Sequence, residues 1–161
     1  MTKIKVIIFD FDGVLTDNRV LVFDDGHEAV LCNRTDGLFL GLLKERGYAL
    51  FIVSKEQNPV VTVRGQKLKI EVEQGVDDKV AAVQRILARQ GVTPNEAAYI
   101  GNDINDLGAM GIVGLPVAVG DAHPVVKRAA KRILKTVGGA GVARELFESV
   151  LREPLPKGVR G

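Results

Sequence analysis

The sequence predicts an α/β domain, a central parallel sheet covered by helices on both faces. Three observations carry that prediction. Val6-Ile7-Ile8-Phe9 is an uninterrupted apolar run without charge, the pattern of a strand buried on both faces. Similar short runs recur at Tyr48–Val53, Ala97–Ile100 and Leu115–Val119, each followed by polar or glycine residues. Between them lie stretches with apolar residues at helical spacing and short joins, and that alternation builds parallel sheets.

Composition narrows the function classes. A chain of 161 residues with 46% apolar residues suits one domain with a real core. We expect it to span residues 1–153, with a flexible, basic, Pro/Gly-rich tail over 154–161. The formal charge of +2 offers no field for nucleic acid. The single cysteine, Cys32, excludes an intramolecular disulfide. The apolar run after Lys3 and Lys5 meets Asp10 and Asp12 too soon to be a signal segment or a membrane span. A cytoplasmic protein without membrane contact is the expectation.

Taken in order, Val20–Phe23 and Ala29–Cys32 flank Asp24-Asp25-Gly26-His27 and predict a hairpin projecting beyond the first strand, as a flap or an oligomer contact. Thr35 or Asp36 caps the next helix, whose apolar face is Leu38, Phe39, Leu42 and Leu43, and Gly47 ends it. Tyr48–Val53 is the second buried strand, with Ser54 at its carboxyl end. A helix beginning near Pro59 carries Val60, Val63, Arg64, Lys67 and Leu68, with Gly65 inside it. Ile70–Val72 makes a very short strand.

Asp77 caps a helix with Val80, Val83, Ile86 and Leu87 on one face, and Gly91 stops it. Thr93–Glu96 forms a capped turn before the Ala97–Ile100 strand. Leu107–Met110 is a short helix ended by Gly111, and Leu115–Val119 is the fifth strand. His123-Pro124 opens a helix through Ala130, because proline at an early position loses no hydrogen bond. Ile133-Leu134 reads as an edge strand. The run Gly138–Gly141 suits a tight turn or an anion cradle, and it precedes a helix with Val142, Leu146, Val150 and Leu151 on its face.

The polar residues concentrate where these strands end. Asp10 and Asp12 follow the first, Ser54 the second, and Asn102, Asp103 and Asp106 the fourth; Lys79 lies at a helix start between the last two. Open α/β sheets bind ligands beyond the carboxyl ends of their strands. Two adjacent carboxylates repel unless a proton or cation intervenes, and a hard ion such as Mg²⁺ would settle that repulsion and attract phosphate. If these groups converge, the chemistry is phosphoryl transfer. A cation screens the phosphate oxygens, a carboxylate attacks, and a second carboxylate handles the proton.

With these motifs in hand, the chain resembles the haloacid dehalogenase superfamily phosphatases from Ile4 to about Leu151. Asp10-Phe11-Asp12-Gly13-Val14-Leu15-Thr16-Asp17 is similar to their first motif, Ser54 matches the hydroxyl of the second, and Lys79 the lysine of the third. Gly101-Asn102-Asp103-Ile104-Asn105-Asp106 matches the fourth. The resemblance implies a Rossmann-like, three-layer α/β/α fold with a projecting hairpin and no cap domain. It implies that Asp10 is the nucleophile and Asp12 the general acid/base. Mg²⁺ would be held by Asp10, the Asp12 carbonyl and Asn102, with Asp103 and Asp106 behind them. Asn102 stands where the family usually has Asp, and Lys55 where it usually has Gly.

Within the superfamily the chain looks like the capless group of 3-deoxy-manno-octulosonate 8-phosphate phosphatases, keto-deoxynonulosonate 9-phosphate phosphatases and phosphatase domains of acylneuraminate cytidylyltransferases. The supporting stretches are the hairpin, Asn33–Gly37, Gln74–Lys79 and Gly138–Glu145. This likeness implies a phosphorylated sugar acid as substrate, in lipopolysaccharide or sialic acid synthesis, and a homotetramer with active sites near subunit boundaries. Lys55 and Glu56 then belong with the substrate groups, and Arg64 and Lys67 would reach a sugar carboxylate across such a boundary. Two other readings stand beside it: a broad small-molecule phosphatase, and a phosphatase-like oligomerisation module of weak or no activity.

Overall fold

The computed structural model describes residues 3–156. Six parallel strands form the sheet: β1 (Val6–Phe9), β4 (Ala49–Val53), β5 (Glu71–Glu73), β6 (Ala97–Gly101), β7 (Leu115–Ala118) and β8 (Arg132–Ile133). Their order is β5-β4-β1-β6-β7-β8, so β1 lies in the middle with β4 and β6 as neighbours. The chain winds outward from β1 on one side, then crosses back and winds outward on the other. That reversal opens a crevice at the carboxyl end of β1. All of β1 is buried, as a both-faces-covered strand requires.

Helices α1 (Arg34–Glu45), α2 (Val60–Leu68) and α6 (Val142–Glu145) pack together on one side. Helices α3 (Lys79–Gln90), α4 (Leu107–Gly111) and α5 (Pro124–Ala129) pack together on the other. The result is the expected three-layer α/β/α architecture around one hydrophobic core. After α6 the chain continues as a single π turn, Leu146–Val150.

Several local expectations are corrected. Asn33, not Thr35 or Asp36, caps α1 by accepting from the Thr35 amide at 2.8 Å. Asp36 instead lies in the first turn of α1 and accepts from the Ala143 amide at 2.8 Å, fastening α1 to α6. Asp78, not Asp77, caps α3. The one-residue shift matters, since it makes Lys79 the first helical residue and turns its side chain inward. Leu38 and Val63 are exposed, and Leu40, Val61, Ala82 and Phe147 take core positions instead. The predicted faces of α1 and α2 are off by one or two residues, because a periodic pattern in a short helix leaves that much freedom, whereas Val83, Ile86 and Leu87 of α3 are buried as expected. Gly65 is tolerated inside α2 because the Val72 side chain occupies the space a Cβ would need.

The hairpin is present but smaller than expected. Only Leu21–Val22 (β2) and Glu28–Ala29 (β3) pair, with Leu21 opposite Ala29, as a sheet separate from the main one. Cys32 returns to the body through a bridge to Thr16. At the C-terminus, Tyr48 donates to Glu153 at 2.6 Å and Arg46 donates to the Pro154 carbonyl at 2.5 Å. The rest of the expected tail, 157–161, lies outside the described residues.

Candidate active site

The site begins where β1 ends. Asp10 donates its amide to the Ile100 carbonyl at 3.0 Å, extending the β1–β6 ladder one residue and placing Asp10 at the edge of the sheet. The chain then folds tightly, with the amides of Val14, Leu15 and Thr16 all directed at the Phe11 carbonyl. Gly13 makes this possible at φ +78°, in the left-handed region. A Cβ at Gly13 would collide with the Asn102 amide, so the missing side chain lets the first and fourth motifs meet. The buried Thr16 hydroxyl closes the turn by accepting from the Gly13 amide at 3.1 Å.

Ser54 arrives from β4, held by donation of its amide to Glu73 at 2.9 Å. Its hydroxyl accepts from the Glu56 amide at 3.0 Å. From α3, Lys79 extends beneath the cleft, and its Nζ lies 2.8 Å from both Asp10 Oδ1 and Asp106 Oδ1. The Asp106 side chain is wholly buried and fully used. Its Oδ1 also accepts from Tyr99 at 2.8 Å, and its Oδ2 accepts from the Asn102 and Asp103 amides at 2.8 and 3.2 Å. One carboxylate therefore shapes the fourth-motif loop and positions the lysine.

These neighbours set the proton affinities. Burial, reinforced by the charge of Asp106 and opposed by Lys79, pushes Asp10 up to about 7. Burial also raises Asp12, with the charge of Glu56 adding to it. Lys79 pays for its own desolvation, yet the charges of Asp10 and Asp106 outweigh that and hold it above its ordinary value. The lysine is therefore charged at neutral pH.

A cleft of about 250 Å³ opens above these groups. Asp10, Asp12, Ser54, Lys55, Glu56, Asn102 and Asp103 all line it. Lys79 and Asp106 lie under its floor rather than on its wall. Arg64 and Lys67 do not reach it within the subunit. The Arg64 guanidinium donates to the Asn33 carbonyl at 3.0 Å, and Lys67 is exposed on α2. Glu56 is partly committed, because Oε1 accepts from the Gln57 and Asn58 amides at 2.7 and 2.8 Å.

Two cleft residues escaped the sequence reading, Asn18 and Asn105. Asn18 sits at φ +64°, which asparagine tolerates better than most residues, and its position just after the first motif was the available signal. Tyr99 carried no signal, since a tyrosine in a buried strand reads as core.

The oxygen atoms present suit a hard cation. Asn102 is buried, and its Oδ1 finds no donor among the described residues. A buried amide oxygen without a partner is costly unless something else binds it. Among the described residues no three His, Cys, Asp or Glu side chains gather into a metal cluster. Asp10, Asp12 and Asn102 line one cleft, and the carboxylate, backbone carbonyl and amide oxygen that the resemblance assigns to the cation would make an all-oxygen set of few charges. Mg²⁺ accepts such a set because it keeps several of its own waters.

The Gly-rich run proves to be a packing device. The Gly138 amide donates to Asp121 at 2.9 Å and that of Gly139 to the Val14 carbonyl at 2.9 Å, so neither is free for an anion. His27 pairs with Asp25 on the hairpin, and His123 caps α5.

Known proteins share this sequence pattern and this fold. Residues 46–146 match the family described as haloacid dehalogenase-like hydrolase. The 3-deoxy-D-manno-octulosonate 8-phosphate phosphatase of Yersinia pestis is 33% identical over 150 residues, covering 92% of this chain and 80% of that one. A HAD family hydrolase of Streptomyces avermitilis superposes with a TM-score of 0.90 at 44% identity, covering 94% of this chain and 87% of that one. The octulosonate phosphatase of Moraxella catarrhalis, solved with magnesium, phosphate and the sugar acid, gives a TM-score of 0.88 at 31% identity, over 92% and 86% of the two chains. On the family match and on this similarity over nearly its whole length, the chain belongs to the haloacid dehalogenase-like hydrolases.

Proposed function

We propose that this protein is a Mg²⁺-dependent phosphomonoesterase that hydrolyses a phosphorylated 2-keto-3-deoxy sugar acid of eight or nine carbons through an aspartyl-phosphate. The single observation that carries the reading is the shared lysine. Lys79 Nζ lies 2.8 Å from both Asp10 and Asp106, directly below a cleft that Ser54 and Asn102 also line.

Asp10 attacks phosphorus, and the bond from phosphorus to the sugar oxygen breaks. Asp12, whose proton affinity burial raises above the ordinary carboxylate range, donates its proton to that leaving oxygen. Water then attacks the aspartyl-phosphate and gives its proton to Asp12. Inorganic phosphate leaves and Asp10 is regenerated. Lys79 keeps the buried Asp10 more ionised than its surroundings alone would allow, and Ser54 binds a phosphate oxygen. Asp10, the Asp12 carbonyl and Asn102 would hold Mg²⁺, which when bound would supply the positive charge that lets an anionic carboxylate approach an anionic phosphate. Asp103 and Asp106 support the loop that carries Asn102. The relatives' names favour an octulosonate 8-phosphate as substrate.

We also propose a cytoplasmic homotetramer built on the hairpin. Among the described residues no helix is long and apolar enough to cross a membrane. The hairpin exposes Val20, Leu21, Val22, Phe23 and Leu31, the last at 73%. An isolated two-stranded hairpin with an apolar surface is marginal in water, and contact with other subunits would cover it.

The test is a screen of phosphorylated eight- and nine-carbon keto-deoxy sugar acids, with Mg²⁺ and with chelator, on the parent and on Asp10→Asn. Phosphate release that needs both Mg²⁺ and Asp10 supports the reading. Release equal in parent and variant, or indifferent to chelator, overturns it.

A further inference from the structure

The loop after β4 holds one basic residue in an unusual setting. Its backbone is fastened on both flanks of Lys55: the Val76 amide donates to the Ser54 carbonyl at 3.1 Å and the Gly75 amide to the Glu56 carbonyl at 3.0 Å. The Ser54 hydroxyl ties the same loop to the Glu56 amide. Glu56 then turns its carboxylate onto the next two amides. Between these anchored neighbours Lys55 is exposed on the cleft wall, and it makes no ion pair among the described residues.

The charge around it is lopsided. Asp10, Asp12, Glu56 and Asp103 line the cleft against this single lysine on its wall. The other nearby cation, Lys79, is buried and committed to two carboxylates at 2.8 Å. The phosphate end of a substrate is met on the floor, beside Asp10 and the buried Ser54. With its backbone held on both sides and no ion pair among the described residues, Lys55 on the cleft wall is available to the part of the substrate that carries the phosphate. Such a group discriminates by charge, because an anion placed there gains a partner and a neutral group does not.

We propose that Lys55 is the specificity-determining residue of the cleft, pairing with a carboxylate carried by the phosphorylated substrate. This rests on the phosphomonoesterase reading above and deepens it: the substrate bears a second anion within reach of its phosphate. An exposed ion pair of this kind is modest, and the expected loss is about two- to fivefold in preference.

The experiment compares kcat and KM for a keto-deoxy sugar acid phosphate and for a hexose 6-phosphate, which lacks the carboxylate. Parent, Lys55→Gln and Lys55→Arg are assayed at low and high salt. The expected result is that Lys55→Gln raises KM for the sugar acid phosphate and lowers the preference for it about two- to fivefold, with kcat little changed. Lys55→Arg restores most of the preference, and high salt narrows the parent's preference toward that of Lys55→Gln. An equal loss on both substrates would mean that Lys55 serves the phosphate and overturns the proposal. An unchanged preference also overturns it, as does loss of the preference in Lys67→Gln instead. Failure of the parent to hydrolyse either phosphate would sink the phosphatase reading itself, a distinguishable result.

Discussion

Gly138 lies so close to Gly13 that a Cβ on the former would fall on the carbonyl of the latter. The neighbouring Gly139 is as tight, with Asp17 N and Thr16 C each 2.6 Å from where its Cβ would stand. The turn before α6 thus buttresses the loop that follows the nucleophile, from the far end of the chain. Gly138→Ala must displace that loop or itself. We expect a stability loss of about 1–3 kcal/mol in urea melts. We also expect kcat to fall by about 100-fold, because displacing catalytic groups by an ångström has that effect. Unchanged kcat in a stably folded variant would refute the buttress.

Lys79 separates two buried carboxylates that would otherwise repel. Lys79→Met keeps the volume but leaves both uncompensated, at a cost of about 3–5 kcal/mol. Activity should drop by more than about 100-fold, and Lys79→Arg should not rescue it, since a planar fork cannot replace a point charge 2.8 Å from both oxygens. Thermal melts and steady-state kinetics check both statements.

Asn102 offers a neutral oxygen where a charged one would bind a cation more firmly. Asn102→Asp should lower the Mg²⁺ concentration for half-maximal activity, by about tenfold, as ligand charge tunes affinity for hard ions. Asn102→Leu should raise it beyond saturation. Titration of activity and calorimetry with Mg²⁺ would read both, and an identical requirement in all three proteins would exclude residue 102 as a ligand.

Asp36 gives a pH dependence of known sign. Burial pushes it up to about 6, against the pull of the Ala143 amide and the Arg64 charge, and its Oδ2 has no partner among the described residues. An unfolded aspartate titrates near 3.8. Between these values the folded state holds a proton that the unfolded state has released. Asp36's contribution is therefore most favourable below pH 3.8 and declines as pH rises to about 6, after which it is flat. The stability of the parent minus that of Asp36→Asn should fall across this window by about 3 kcal/mol. Urea melts at half-unit pH steps measure the difference, and a flat difference would refute it.

The hairpin predicts assembly. Leu21→Asp and Val22→Lys alter only side chains that the single subunit leaves exposed. Sedimentation should show a tetramer in the parent and smaller species in the variants. A parent that sediments as a monomer would end the assembly proposal.

Much of this protein could be read from its residues alone. The four-residue apolar run, its two following aspartates and the strand–helix alternation follow from burial and periodicity, which are local properties. They sufficed for the sheet, the layers and the strand ends where Asp10, Ser54 and Asn102 lie. Two helix caps were off by one to three residues, because Asp77 and Asp78, or Asn33 and Thr35, are equally competent caps until the rest of the chain chooses, whereas Thr93 and His123 open their turns as expected.

Only the tertiary structure decided what the polar residues do to one another. No periodicity announces that Asp106 would be wholly buried and shared among Lys79, Tyr99 and two amides, since its partners come from three separate elements. The same holds for Asp36, which looks like a cap and instead reaches Ala143 across 107 residues. Nor does the sequence reveal that Arg64 is held by Asn33 while Lys55 has no ion pair among the described residues. Hydrophobic pattern is repeated along the chain and survives small errors of register. A hydrogen bond joins two particular atoms at about 2.9 Å, and only the folded chain brings them there.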